Sequence, residues 1–539
     1  MKKKLLALVL GGVIALGSLG FNYRSDFFEI AKQIEIFTNL YKEVNMNYVD
    51  EINSAELMNT AIVAMLKDLD PYTQFYSEQD VQRARIQQSG SVSSVGANFK
   101  LINEQVVIAK VNQNGPADKA GLKIGDVITH IDGIELANFQ QDASELLKGG
   151  AGTKVELQFI RQGKEKELEV ERASEEQKAV PFYSLLEDKT AYIALAKFTK
   201  TASKEVGEAL KKLKEQGAEQ VILDLRGNPG GLLGEAVNVT NLFVPKDVLI
   251  TFTKSAIEKY NQTYVTQNRP IDDQLPMAVL INERSASASE IVSGSIQDLD
   301  RGIVIGARSF GKGLVQRPKN LNYGTSAKIT ISRYYTPSGR CIQALDYQEG
   351  KAIRKNKEQY QEFKTRNGRS VFDGGGIRPD IEVESAQTEG LTKALLEKNM
   401  IFEFATQFYY THSFENLSDF NLTNQDYKAF IKFVEQSNFS YETATEKQLQ
   451  TLKEVAENEK LNQLFKKDVL TIEKSIDAYK EESFNQRKKA IERLLEEEVI
   501  RRYFYDEGVF EFDTKNAEEV KEAQEILNNK KRYKEILKA

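Results

Sequence analysis

The strongest constraint on this chain is an alternation between residues 190 and 307. Four apolar runs of strand length, TAYIALAKF, AEQVILDL, PMAVLIN and GIVIGA, are separated by longer segments that include TASKEVGEALKKLKEQG and SASEIVSGSIQDLD. Parallel strands need a long crossover, and a helix supplies one, so this rhythm predicts an α/β layer with a partly parallel sheet. Reactive groups in such sheets gather beyond the carboxyl ends of the strands. Two loops occupy that position here: RGNPGG after VILDL, and NERSASAS after AVLI.

The alternation fills residues 176–384, and the patterning differs on either side. Residues 23–87 place apolar side chains at helical spacing, as in FFEIAKQIEIFTNLYKEV and SAELMNTAIVAMLKDLD, the second opening on Ser54 as N-cap with Glu56 behind it. Residues 88–175 change to short strands and turns, with a short helix in FQQDASELLKG. Residues 385–539 read as Lys/Glu-rich amphipathic helices, a solvated accessory domain without visible chemistry. A chain of 539 residues is too long for one core, so three or more domains are expected. At the N-terminus three lysines precede an apolar run from Leu5 to Phe21, the pattern of an export signal or membrane anchor over residues 1–22. The expectation is export to a bacterial periplasm or cell envelope, with the leader either cleaved or kept as an inner-membrane attachment.

Scarcity narrows the chemistry. Lys and Arg total 73 against 79 Asp and Glu, which argues against a nucleic-acid partner, since phosphate neutralisation needs clustered excess cation. The one cysteine, Cys341, rules out an intrachain disulfide and a cysteine-rich metal site. The two histidines, His130 and His412, exclude a zinc site of the H-E-x-x-H kind. His130 lies in a strand-like run and His412 among aromatics, so both read as packing residues. A hydrolase of this composition takes its general base from another residue type. GARSFGKG approaches a phosphate-binding loop, but Gly313 stands where a Ser or Thr hydroxyl should hold magnesium.

The serine turn is the candidate source of a nucleophile. A serine at a helix start has N–H groups beside it that can serve as oxyanion donors. Ser285, Ser287 and Ser289 compete for the role, and Ser287-x-x-Glu290 is also a capping-box pattern that merely begins a helix. Backbone N–H groups at Gly230 and Gly231 are candidates to complete an oxyanion hole. A serine hydroxyl needs a base, and with histidine scarce Lys312 is the alternative. An ordinary lysine loses its proton near about pH 10.4, so neutrality near pH 7 requires desolvation worth about 4 kcal/mol. The flanking glycines allow close backbone packing, and Phe310 is expected to give apolar cover.

Two resemblances then organise these readings. GPADKAGLKIGDVITHIDG resembles a PDZ domain, a module that captures a peptide's C-terminal carboxylate on backbone N–H groups and adds the peptide as a strand. The resemblance places the carboxylate loop at Ser94, Val95, Gly96 and Ala97; many relatives carry glycine where Ser94 stands. SASASEIVSGSIQDLDRGIVIGARSFGKGLVQ, with LDLRGNPGG, YYTPSGRCIQ and GRSVFDGGGIRPD, resembles the carboxyl-terminal processing peptidases, or tail-specific proteases, over about residues 30–384. That resemblance implies Ser287 as nucleophile, Lys312 as base, Glu290 or Gln316 as third group, and an oxyanion hole from Ala288 with Gly230 or Gly231. Asp298 matches a position that supports activity in some relatives, read here as structural. The implied fold is an α/β serine-peptidase core with an inserted PDZ domain and helical N- and C-terminal regions. The implied function is an exported serine endopeptidase acting on proteins or peptides with accessible C-terminal tails, without metal, nucleotide or other cofactor, as a homo-oligomer or with an adaptor protein. The alternative is a catalytically silent PDZ scaffold of the cell envelope.

Overall fold

The computed structural model describes residues 27–81, 93–137, 143–173, 178–348, 351–354, 356–383 and 390–538. The leader at 1–22 and the expected boundaries near 175 and 384 lie outside them. Residues up to Phe75 form one unit and Tyr76 onward another. In the first, α1 (27–47) and α2 (Ser54–Lys67) follow the apolar spacing. The cap of α2 is Asn53, whose side chain accepts from Glu56 N–H at 3.2 Å, one residue before the expected Ser54.

The second unit begins with an antiparallel sheet ordered β1 (Ala97–Ile102), β2 (Gln105–Val111), β3 (Val127–Ile131), β4 (Lys154–Arg161) and β5 (Lys164–Glu171). β1 is an edge strand. Ile108, Ile131, Val155 and Leu157 are buried in one core with Leu122, which follows the short helix α3 (Pro116–Ala120). A buried Asp126–Arg161 pair at 2.6 Å ties the turn after α3 to β4.

The strands of the alternation form a six-stranded sheet. In chain order they are β6 (Phe182–Leu185), β7 (Thr190–Ala194), β8 (Gln220–Asp224), β11 (Met277–Ile281), β12 (Ile303–Gly306) and β15 (Ile381–Glu382), and that is also their order in space. All neighbours are parallel except β6–β7. Side chains alternate between the two faces with period two. Ile193, Val221, Leu223, Val279 and Val304 pack under α4 (Ala202–Glu215), α5 (Leu233–Asn241) and α6 (Ala288–Asp298). Tyr192, Ile222, Ala278, Leu280 and Ile305 face the other way. A second, antiparallel sheet contains β9 (Leu249–Lys254), β10 (Thr263–Val265), β13 (Leu314–Asn320) and β14 (Ser326–Tyr335).

The second face of the parallel sheet corrects the reading of the C-terminus. Helices α7 (Leu391–Glu397), α8 (Met400–Thr411), α9 (Asn424–Gln436) and α12 (Lys488–Asn516) share an aromatic-rich core, joined by α10 (Ala444–Asn458) and α11 (Asn462–Gln486). The last two helices, α13 (Glu518–Asn528) and α14 (Lys530–Leu537), instead cover the sheet through Val520, Ala523, Ile526, Leu527 and Leu537. They are a layer of the α/β core and not part of a solvated appendage. A parallel sheet buried on both faces requires such a layer. α12 breaks at Tyr505 (φ 58°, ψ −163°) and doubles back, bringing Arg493 over the Phe512 ring at 5.2 Å. Among the described residues no helix is long and apolar enough to cross a membrane.

Candidate active site

Beyond β11 the chain turns at Asn282 and enters α6. Ser287 is the residue before the helix, at φ 56° and ψ −110°. Side chains other than glycine rarely occupy that region, and holding one there costs about 1–3 kcal/mol. The neighbouring serines are committed to the main chain. Ser285 Oγ donates to Leu225 O at 2.8 Å and Ser289 Oγ to Asn228 O at 2.9 Å, both fully buried. Together they staple the serine turn to the glycine turn that follows β8. Ser287 is half-buried, between two serines whose work is structural.

Glu290 is the hub of the site. It is fully buried, and each carboxylate oxygen accepts twice. Oε1 takes Ser309 Oγ at 2.6 Å and Gly311 N–H at 2.7 Å; Oε2 takes Ser287 N–H at 2.8 Å and Lys312 N–H at 2.9 Å. The capping pattern in the sequence is therefore half of a larger arrangement, in which one carboxylate ties the serine to the F-G-K-G loop. Burial pushes its pKa above the usual glutamate value, opposed by those four donors. Tyr334, also buried, makes a second tie. Its hydroxyl proton is shared between Ser287 O at 3.1 Å and Lys312 O at 2.6 Å. With its oxygens engaged on main-chain and Ser309 donors, Glu290 holds backbones in place.

Gly230 lies directly against the serine. At φ 98°, a Cβ there would sit 2.7 Å from Ala286 O and 2.9 Å from both Ala288 N and Ser287 Cβ. Asn228 shapes the turn: its Nδ2 donates to Leu195 O at 2.6 Å, and its Oδ1 accepts from Gly230 N–H at 2.8 Å. Its carbonyl also accepts Ala286 N–H at 3.0 Å. The Gly230 N–H is thus already donated within the turn.

The F-G-K-G loop uses its glycines as expected. A side chain at Gly311 would collide with Ala344, and one at Gly313 would meet Gln343 N at 2.9 Å. Phe310 is 48% exposed, and Lys312 is half-buried. Gln316, on β13, donates its amide to Thr330 Oγ1 at 3.3 Å. Asp298, at the far end of α6, accepts from Arg340 Nη2 at 2.7 Å and Ser338 N–H at 3.1 Å, an internal brace. His130 is in β3, and His412 ends α8 stacked on Phe408 at 3.8 Å.

The candidate tail-binding loop adjoins β1, the edge strand. Gly96 has φ 71°, and Val95 is fully buried. Val95 O accepts Ala117 N–H, and Gly96 O accepts Asn112 N–H, both at 2.8 Å. Ser94 N–H is already donated to Ala173 O at 3.2 Å, so Ser94 drops out as a carboxylate donor. Asn228, Ser309, Tyr334 and Arg226 went unread in the sequence, although they fall in the LDLRGNPGG, GARSFGKG and YYTPSG motifs.

In the chain, the α/β core lies between a PDZ-like sheet and a helical domain. Family models agree segment by segment. Residues 93–171 match the PDZ domain, 189–350 match peptidase family S41, and 391–527 match the C-terminal helical domain of a probable PDZ-protease. A probable CtpA-like serine protease of Staphylococcus haemolyticus (strain JCSC1435) is 28% identical over 73% of this chain and 74% of its own length. Its counterpart in Staphylococcus aureus (strain MRSA252) is 29% identical over 66% of this chain and 65% of its own. Among solved structures, the photosystem II D1 C-terminal processing protease is 26% identical, covering 65% of this chain and 92% of that one at a TM-score of 0.39. The chain is a serine-type peptidase similar to these CtpA-like proteases, with a PDZ domain, an S41 peptidase segment and a helical C-terminal domain.

Proposed function

We propose that this peptidase is an exported endopeptidase that captures substrate C-terminal tails on its PDZ domain and cleaves with a Ser287–Lys312 dyad. The observation that carries the dyad is the double tie between the two residues: Glu290 Oε2 takes both amides, and the Tyr334 hydroxyl bridges both carbonyls. Two loops far apart in sequence are held in register at these positions.

In the proposed reaction Ser287 Oγ attacks the scissile carbonyl while neutral Lys312 removes its proton. The carbonyl oxygen becomes an anion held by the N–H groups of Ala288 and Gly231. Collapse breaks the C–N bond, Lys312 returns the proton to the leaving amine, and water hydrolyses the acyl-enzyme by the same path. Because Lys312 is half-buried, a substrate strand lying over it supplies the remaining desolvation that keeps the amine neutral. Val95, Gly96 and Ala97 receive the tail carboxylate, with the tail pairing along β1. The lysine-capped leader supports export, and membrane attachment through it belongs to the same proposal.

Purified Ser287→Ala and Lys312→Ala are each expected to lose cleavage of a tail-bearing peptide by at least a thousandfold while keeping wild-type tail affinity. Cleavage retained by either variant contradicts the dyad. Absence of cleavage by the wild type with tail bound points to the silent scaffold instead.

A further inference from the structure

The turn that supplies the proposed oxyanion donors is not held by the peptidase segment alone. Arg226, next after Leu225 at the end of β8, opens the run Arg226-Gly227-Asn228 and carries a largely buried guanidinium. Asp224, two residues earlier, accepts from Arg226 Nη2 at 2.7 Å and is itself held by Tyr192 OH at 2.5 Å. The other two carboxylates come from nearly three hundred residues away. Asp513, on the returning limb of α12, lies 3.0 Å from Nη2, and Glu519, in the first turn of α13, lies 3.0 Å from Nη1. All three acids are largely buried, and Asp513 is also paired with Arg493.

On its other side the same turn is stapled to the serine turn by Ser285 and Ser289, so the Arg226 cluster is its anchor toward the C-terminal helices. Gly227 is at φ 71° with open space where a Cβ would be, held through its N–H to Asn282 Oδ1 at 2.9 Å. Asn228 then sets Gly230 against Ser287. A buried guanidinium stripped of partners leaves an uncompensated charge, and the local chain shifts to relieve it. Oxyanion donors tolerate little such movement: removing one costs about a hundred- to a thousandfold in kcat.

We infer that Asp513 and Glu519 are positioning residues for catalysis, acting through Arg226 to place the oxyanion turn, so that the C-terminal helical domain is part of the catalytic apparatus. The inference rests on the proposed Ser287 chemistry. It goes beyond it by assigning function to a region whose sequence carries no catalytic motif.

The test uses the full chain carrying Asp513→Asn with Glu519→Gln, and in parallel the conservative Asp513→Glu. A peptide boronate, which adds to the serine as a tetrahedral anion, probes the oxyanion site apart from turnover. The double variant is expected to lose at least tenfold in kcat with KM within about twofold. Boronate affinity should fall in the same proportion, thermal unfolding should stay cooperative, and Asp513→Glu should recover most of the loss. Wild-type kcat in the double variant overturns the inference. So does a kcat loss that boronate affinity does not share, or one accompanied by loss of cooperative unfolding in both variants. Because Ser287→Ala is assayed alongside, a failure of the serine chemistry appears there first and is separable from failure of the positioning role.

Discussion

Glu290 shows how one residue can be read correctly as a type and incompletely as a role. Its capping position is visible three residues after Ser287, yet its tie to Gly311 and Lys312 joins segments more than twenty residues apart, which local pattern does not encode. The three serines are equally ambiguous in one dimension, since it is the carbonyls of Leu225 and Asn228 that occupy Ser285 and Ser289. Glu290→Gln turns an amide NH2 toward donors and is expected to cost about 1–3 kcal/mol of stability and at least tenfold in kcat, read by thermal unfolding and steady-state kinetics. Its raised pKa has a definite sign. Between the ordinary glutamate pKa and the raised one, the folded chain holds a proton that the unfolded chain has released, so this group's contribution to stability falls as pH rises through that window. Activity should move oppositely, because the four donors around the carboxylate need its ionised form. The stability trend should therefore vanish in Glu290→Gln. At Gly230, alanine would place a Cβ 2.7 Å from Ala286 O at a positive φ. Gly230→Ala is expected to abolish cleavage while leaving tail binding intact, measured by peptide turnover and fluorescence anisotropy.

At the scale of elements, strands β7, β8, β11 and β12 were legible because continuous apolar runs with turn signals leave few alternatives. The covering layer was less legible. α13 has the amphipathic spacing of any charged surface helix, and its sequence does not say that the apolar stripe meets Ile222 and Leu280. The break at Tyr505 has only Gly508, three residues on, to announce it, and the doubling back of α12 is what delivers Asp513 to Arg226. If α13 is a core layer, Ile526→Ala should destabilise the peptidase by about 2–5 kcal/mol in chemical denaturation. A change below about 0.5 kcal/mol would mean the helix is merely apposed.

Across the whole molecule, the peptidase sheet is completed by chain that begins beyond residue 516, while among the described residues β1 pairs on one side only, with β2. The scarcity of histidine and the settings of His130 and His412 pointed to lysine as base, but composition could not show that a helical C-terminus closes the catalytic domain. A chain ending at Asn516 exposes Tyr192, Ile222, Leu280 and Ile305 on a twisted parallel sheet. It is expected to lose cooperative unfolding and to aggregate, as judged by calorimetry and light scattering.

The central claim is that Lys312 activates Ser287. The most direct measurement is the rate at which a fluorophosphonate modifies Ser287 as pH is varied, with the modified residue located by mass spectrometry. The wild type should be labelled at Ser287 alone, at a rate rising with pH as the amine loses its proton, and Lys312→Ala should fall to the level of Ser287→Ala. Labelling of Lys312→Ala at the wild-type rate, or labelling at another serine, would contradict the account.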